Sequence, residues 1–168
     1  MIELTQSGYS KIYKFFRDNK LCYKLLCLVY RVFPIIIAIG YIITVVLAIA
    51  WQMQQAKAVV IIPAITFCLV SVIRRIFDKP RPYEVLKIKP LIYKDKSGKS
   101  FPSRHCASAF VISVCVTVFV NFGIGLVFGV MAVCVAVSRV LAGVHFVRDV
   151  LFGSAFGIFM GVLGLLII

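Results

Sequence analysis

Acidic residues are scarce in this chain. Six Asp and Glu stand against nineteen Lys and Arg in 168 residues, a formal net charge of +13. Such an excess suits a lipid headgroup layer or an anionic substrate. Nucleic acid is set aside, because the basic residues lie between membrane-length apolar segments. Histidine is scarcer still, with only His105 and His145. The six cysteines (Cys22, Cys27, Cys68, Cys106, Cys115 and Cys134) form no CxxC pair and mostly lie in apolar runs. A zinc site needs clustered ligands, so no metal or cofactor is expected and the thiols read as small buried hydrophobes. No segment alternates like a strand, and there is no internal repeat or low-complexity tract. The first twenty residues are polar and basic, so a cleavable signal peptide is not expected.

Apolar residues are abundant. AVILMFWYC make up 62% of the chain and the mean hydropathy is +1.03, well above a soluble domain's composition. A domain this small could not hide so much apolar surface from water. Crossing a bilayer takes about 20 predominantly apolar residues per helix. Runs that meet or approach this length cover 33–51, 58–73, 105–120, 124–138 and 149–168. The third and fourth are short, so their polar ends should be helical too. Asn121-Phe122-Gly123 reads as the tight turn between them. Residues 9–31 mix Lys11, Lys14, Arg17, Lys20, Lys24 and Arg31 with Tyr, Phe and Leu, as in an amphipathic helix lying in the interface. As a sixth span, this segment would bury charges costing about 2.5–3.5 kcal/mol each at a helix centre. The expectation is therefore an all-α integral membrane helical bundle of five or six transmembrane helices with an N-terminal amphipathic helix. It forms one domain, 1–168, with residues 1–32 interfacial and 33–168 the bundle.

The polar segment 74–104 holds ten of the nineteen basic residues and four of the six prolines. Ionisable groups at the ends of membrane helices are costly and mark candidate functional sites. Three clusters qualify. Arg74-Arg75-Ile76-Phe77-Asp78-Lys79-Pro80-Arg81-Pro82 ends the second span, and guanidinium forks match phosphate oxygens. Prolines on either side of Arg81 keep it on stiff, non-helical chain. Pro102-Ser103-Arg104-His105 opens the third span. Ser is a preferred helix cap, and a helix N-terminus attracts anions. Ser138-Arg139-x5-His145-x3-Asp149 ends the fourth span and begins the fifth. His145 and Asp149 are four apart, so on a helix they share a face. A carboxylate there would orient the imidazole and leave its other nitrogen free to attack. Each cluster alone could be a basic membrane edge, a capped helix or an idle surface pair, but the chain's two histidines fall in two of the three.

Taken together, Arg74-x6-Arg81-Pro82, Pro102-Ser103-Arg104-His105 and Ser138-Arg139-x5-His145-x3-Asp149 resemble the three-part signature of the type 2 phosphatidic acid phosphatase superfamily. That superfamily includes membrane lipid phosphate phosphatases and soluble vanadium haloperoxidases. The resemblance spans residues 74–149 and the last helix; residues 1–57 carry little of it. It implies metal-independent hydrolysis of a lipid phosphate or diphosphate, such as undecaprenyl diphosphate, phosphatidylglycerol phosphate or phosphatidate. His145 would become a phosphohistidine, oriented by Asp149, and His105 would protonate the leaving oxygen. Arg74, Arg81, Arg104 and Arg139 would bind phosphoryl oxygens with Ser103, supported by Pro82, Pro102 and Ser138. The implied partners are a membrane phospholipid or polyprenyl phosphate substrate and the bilayer itself; the oligomeric state is left open.

Two positions depart from the signature. Arg74 stands where the family usually has Lys, and Arg104 where it usually has Gly. A cation at 104 could crowd the phosphate or hold a second one, favouring a diphosphate. The face of the membrane is contested. The positive-inside rule would put the basic end in the cytoplasm, whereas the resemblance implies an outward-facing site in bacteria. The expectation carried forward is a multi-pass cell-membrane protein with an extracytoplasmic site. The rival function is a transporter or channel for an anionic solute, which would use the arginines but has no need of His145 and Asp149 four residues apart.

Overall fold

A computed structural model describes residues 5–92 and 97–167. Its elements, in order, are α1 (Gln6–Asp18), α2 (Lys20–Ala50), α3 (Ala56–Phe77), the single turn α4 (Pro82–Val85), α5 (Arg104–Phe119), α6 (Phe122–Leu141) and α7 (Val147–Ile167). Helices α2, α3, α6 and α7 are long and apolar enough to cross a membrane, and α5 is a shorter apolar helix. Among the described residues no strand occurs. The chain is thus a multi-pass helical membrane protein, as its composition requires.

The N-terminal segment differs from expectation. Residues 9–31 are two helices meeting at Asn19. Both the backbone N–H and the side-chain amide of Asn19 donate to the Phe15 carbonyl, which closes α1. Lys20, Lys24 and Arg31 therefore belong to the first turns of α2, and the expected boundary at residue 33 falls inside that helix. At 1.5 Å per residue α2 is about 46 Å long, well beyond a hydrocarbon core of about 30 Å, so its basic start can stand among headgroups. The 13-residue α1 reaches only about 20 Å and cannot be a sixth span.

The bundle is organised around α5, where Val111, Cys115 and Val116 are fully buried among α3, α6 and α7. Its core continues into Ile37 of α2, Ile62 of α3, and Phe128, Ala132 and Val135 of α6. Without a hydrophobic drive between helices in lipid, close association relies on small residues. Gly153 of α7 illustrates this: a Cβ there would lie 2.6 Å from the Ser103 carbonyl oxygen. The outer faces are aliphatic, with Ile35, Ile39, Ile42, Val46, Leu126, Val130, Val133 and Phe159 exposed. In a water-soluble protein such a surface would aggregate; in a bilayer it is solvated.

At one end of the bundle, α1, the start of α2, residues 78–92 and 97–103 and the 142–146 turn come together. Tyr9 donates from its hydroxyl to the Ala142 carbonyl and accepts from the Leu91 N–H. Tyr23 of α2 donates to the Leu91 carbonyl.

Candidate active site

The site begins with how the polar segment is held. Pro80 and Pro82 deny it a continuing helix, so α3 ends at Phe77 and the described chain between it and α5 holds one helical turn, α4. Two acids then tie its limbs together. Glu84 accepts from the Arg81 N–H at 2.6 Å, the Gly98 N–H at 3.1 Å and the Ser97 hydroxyl at 2.7 Å. Asp78 accepts from the Lys99 N–H at 3.0 Å. Both carboxylates thus serve backbone donors that would otherwise lack partners. Fixed in this way, Arg81 is buried, donating from Nε to the Gly98 carbonyl and from Nη1 to the Val144 carbonyl. Arg74 donates from Nη1 to the Pro102 carbonyl at 2.6 Å and the Ser100 carbonyl at 3.3 Å. Carbonyls thus hold one edge of each guanidinium.

His145 sits in the turn between α6 and α7, one residue beyond Val144. Gly143, at φ +74, makes the turn possible, since only glycine adopts that conformation without cost. The expected i,i+4 pair on one helix is therefore corrected: Asp149 is in the first turn of α7, but His145 precedes the helix. The Asp149 carboxylate reaches back to accept from the Phe146 N–H at 3.0 Å, as an acid three residues into a helix does.

Its Oδ2 lies 3.7 Å from His145 Nδ1, and the Ser100 hydroxyl stands between them. Ser100 donates its one proton to Asp149 Oδ2 and lies 3.3 Å from His145 Nδ1. That hydroxyl can only accept from the ring, so Nδ1 carries the hydrogen and Nε2 the lone pair. Burial lowers the imidazole pKa to about 4 against the pull of Asp149, with Arg81 and Arg74 acting in the same direction as burial. At neutral pH His145 is uncharged.

The second cluster is tied to the third through backbone. Ser103 occupies the N-cap position of α5, as its sequence predicts, and its N–H donates to the Asp149 carbonyl at 2.9 Å. Its hydroxyl does not cap the helix but donates to Cys106 Sγ. Pro102, fully buried, follows a cis peptide bond. Ser138 is buried, with its hydroxyl on the Val135 carbonyl.

Two cavities flank these residues. The larger, about 630 Å³, is lined by Arg74, Arg75, Arg81, Lys99 and Arg104 together with Ser71, Ser97, Gly98 and Phe67. Among the described residues no carboxylate lines it. The smaller, about 230 Å³, is mostly apolar and lies among Pro34, Ile37 and Ala38 of α2, Ala109 and Ile112 of α5, and Val135 of α6. His105 lines this second cavity. Phe67 and Arg104 belong to both, with the Arg104 guanidinium 5.1 Å over the Phe67 ring.

Of the residues singled out in sequence, Arg74, Arg81 and Arg104 meet in one cavity, beside the buried His145–Asp149 pair. Arg139 is placed differently. It is buried, stacked 3.9 Å over the Tyr30 ring and donating to the Tyr30 carbonyl, while its Nε has no hydrogen-bond partner. Orphan donors of this kind are rare in folded proteins. Ser100, Glu84 and Tyr30 were not singled out, since each acts through tertiary contacts that no local pattern announces. Among the described residues no group of three or more His, Cys, Asp or Glu side chains is arranged to hold a metal ion.

The model of the PAP2 superfamily matches residues 55–168, a stretch containing all three clusters. No curated protein sequence matches the chain. Among solved structures, Aquifex aeolicus LpxE superposes with a TM-score of 0.63 at 22% identity, over 84% of this chain and 93% of that one. The first transmembrane PAP2-type phosphatidylglycerolphosphate phosphatase from Bacillus subtilis gives 0.65 at 22% identity, over 95% and 83%. At this identity both likenesses are likenesses of fold.

Proposed function

The chain belongs to the PAP2 superfamily, and on that premise we propose that it is a membrane phosphatase acting on a lipid phosphate or diphosphate without a metal. One observation carries the reading: a neutral, buried His145 with its Nε2 lone pair free stands beside a cavity lined by arginines. An anion transporter would use the arginines but has no need of an imidazole oriented by a serine and a carboxylate.

In the proposed reaction, Nε2 of His145 attacks phosphorus and the bond to the leaving oxygen breaks. That oxygen takes the electron pair and a proton from His105. As the ring gains positive charge, Nδ1–H is steadied by Ser100 and Asp149. Arg74 and Arg81 meet the charge on the equatorial oxygens, where electrostatic stabilisation contributes most to phosphoryl transfer. The unpartnered Nε of Arg139 is a further donor for an anion. Water then attacks the phosphohistidine and passes a proton to His105, releasing orthophosphate and restoring both imidazoles. The apolar cavity beside His105 receives the first carbons of the lipid chain, and Arg104 stands at the junction.

Phosphate release in detergent micelles with EDTA, wild type against His145→Ala, tests the reading. The wild type should keep its activity in the chelator, and the variant should fall to background. Activity that disappears with EDTA, or survives in the variant, overturns it. The assay uses phosphatidate, phosphatidylglycerol phosphate and isoprenyl phosphates in parallel.

We place the site on the extracytoplasmic face. Five of the charges at this end line the cavity and Arg139 is stacked on Tyr30, so they answer to the substrate and the fold rather than to topology. An impermeant thiol reagent applied to intact cells should label Lys89→Cys above the unsubstituted chain, and Lys57→Cys should not. The reverse pattern overturns this placement.

A further inference from the structure

The larger cavity carries more positive charge than one phosphoryl group requires. A monoester dianion is matched by Arg74 and Arg81, the two guanidiniums fixed by carbonyls beside His145. Three cations remain along the same walls: Arg75, Lys99 and Arg104. Among the described residues of the segment the carboxylates are those of Asp78 and Glu84, and both are turned to backbone N–H groups and Ser97. At about 630 Å³ the cavity falls in the range of sites that enclose whole small molecules, about 300–1,000 Å³. The apolar cavity shares Arg104 and Phe67 with it, whereas Arg81 lines the larger cavity and not the apolar one.

We infer that Arg75, Lys99 and Arg104 form a second phosphate subsite and that the substrate is a lipid diphosphate. The inference rests on the phosphatase reading above and names its substrate class. The order along the site is then chain, proximal phosphate, distal phosphate, nucleophile. The chain lies in the apolar cavity, the proximal phosphate on Arg104, Arg75 and Lys99, and the distal phosphate on Arg74 and Arg81. Attack by His145 on the distal phosphorus breaks its bond to the bridging oxygen. The electron pair leaves with the lipid monophosphate, and water later frees orthophosphate from the imidazole. The products are one lipid monophosphate and one orthophosphate. A leaving phosphate accepts charge more readily than a leaving alkoxide, which further favours this substrate.

The test compares a C15 isoprenyl diphosphate with the corresponding monophosphate, so that the chain contributes equally to both. In nonionic micelles the wild type should favour the diphosphate by at least about tenfold in kcat/KM, the worth of one good charge-assisted contact. The exposed pair Arg75→Gln with Lys99→Gln should lower the diphosphate-to-monophosphate ratio by about tenfold or more. A wild type without preference, or a ratio unchanged in the double variant, overturns the subsite while leaving the phosphatase reading intact. Release from neither substrate overturns both. The same cations could instead hold headgroups of neighbouring anionic lipids. A ratio change that appears only when anionic phospholipid is added to the micelles would assign them to that role and overturn the inference.

Discussion

The two cavities at the reaction end share a wall and differ in everything else. The larger is lined by five cations and is shaped by backbone: prolines stop helices, Glu84 and Asp78 clamp the loop, and carbonyls hold Arg74 and Arg81. The smaller is a gap between helices, shaped by side-chain volumes at Ile37, Ala38, Ala109 and Ile112. Directional contacts to charge need fixed donors, which is why one wall is rigid loop. A hydrocarbon chain needs only room and apolar surface, which a gap beside Pro34 in α2 supplies. The Arg104–Phe67 contact is where the two requirements meet. The comparison can be broken from either side.

The largest effect should come from the polar side. Arg81→Ala removes a donor set that faces the proposed phosphoryl group, and should lower kcat by about 10²–10³-fold, the cost of losing one electrostatic stabiliser. The loss should be the same for short-chain and long-chain substrates. A loss that grows with chain length would mean that the two cavities are not separate in function. Because Arg81 also ties Gly98 to Val144, circular dichroism and thermal melting of the variant must accompany the kinetics.

Next is the link behind the proposed nucleophile. Ser100→Ala leaves Asp149 without its hydroxyl donor and leaves Nδ1 unguided. The expected fall in kcat is about 10- to 100-fold, as when the outer partner of an oriented histidine is removed, with KM little changed. A change confined to KM would instead make Ser100 part of substrate binding. The wild-type profile offers a companion test. His145 is lowered to about 4 by burial; a depressed imidazole pKa keeps the ring neutral above that value and charges it below. The acid limb of kcat/KM, which reports the free enzyme, should therefore fall near pH 4. An acid limb near 6.5, the ordinary imidazole value, would mean that water reaches the ring.

How much of this was legible in the sequence follows from the range of the forces involved. The arginine and histidine clusters were legible because charge beside membrane-length apolar runs is costly and stands out. The helix start at Ser103 was legible as a position, although its hydroxyl bonds Cys106 Sγ instead of capping; the break at Asn121 was legible because capping is local, and Asn121 does accept from the Ile124 N–H. The break at Asn19 was not, since an amphipathic pattern continues across it and only the Phe15 carbonyl contacts reveal the stop. His145 read as helical because a spacing of four fits a helix; Gly143, at positive φ two residues after α6 ends at Leu141, was the local signal against it. Ser100 acts on Asp149, 49 residues away, and Glu84 joins its neighbour Arg81 to Ser97 and Gly98, 13 and 14 residues on, closing a loop on itself. Arg139 was legible as a candidate cation, but not its place on Tyr30, a contact across 109 residues.

From the apolar side, Ala38→Phe would place a ring in the smaller cavity from an exposed position on α2, without overfilling the core. Excluding a few methylenes should cost about tenfold in kcat/KM for a long-chain substrate. A short-chain phosphate should lose no more than about twofold, since only the steric term of the same pocket is altered. Equal losses for both would place the chain elsewhere and leave the cavity a packing defect.

The smallest effect tests whether the end of the bundle is one unit. Tyr9 of α1 lies outside the bundle, yet it is buried and joins two strands of the site: it donates to the Ala142 carbonyl and accepts from the Leu91 N–H, both at 3.1 Å. Burial raises its phenol pKa to about 12, against the Leu91 bond, so the hydroxyl keeps the proton it donates throughout the working range. Ala142 and Gly143 begin the turn that carries His145, so α1 steadies that turn from outside. Tyr9→Phe removes both hydrogen bonds while keeping the ring, and should cost about 2 kcal/mol of stability, since each bond contributes about 0.5–1.5 kcal/mol. Activity should fall only a few-fold, through kcat, because the turn retains the Arg81 bond to Val144. If stability falls while kcat does not, α1 is a passive anchor and the nucleophile's position depends on Arg81, Ser100 and Asp149 alone.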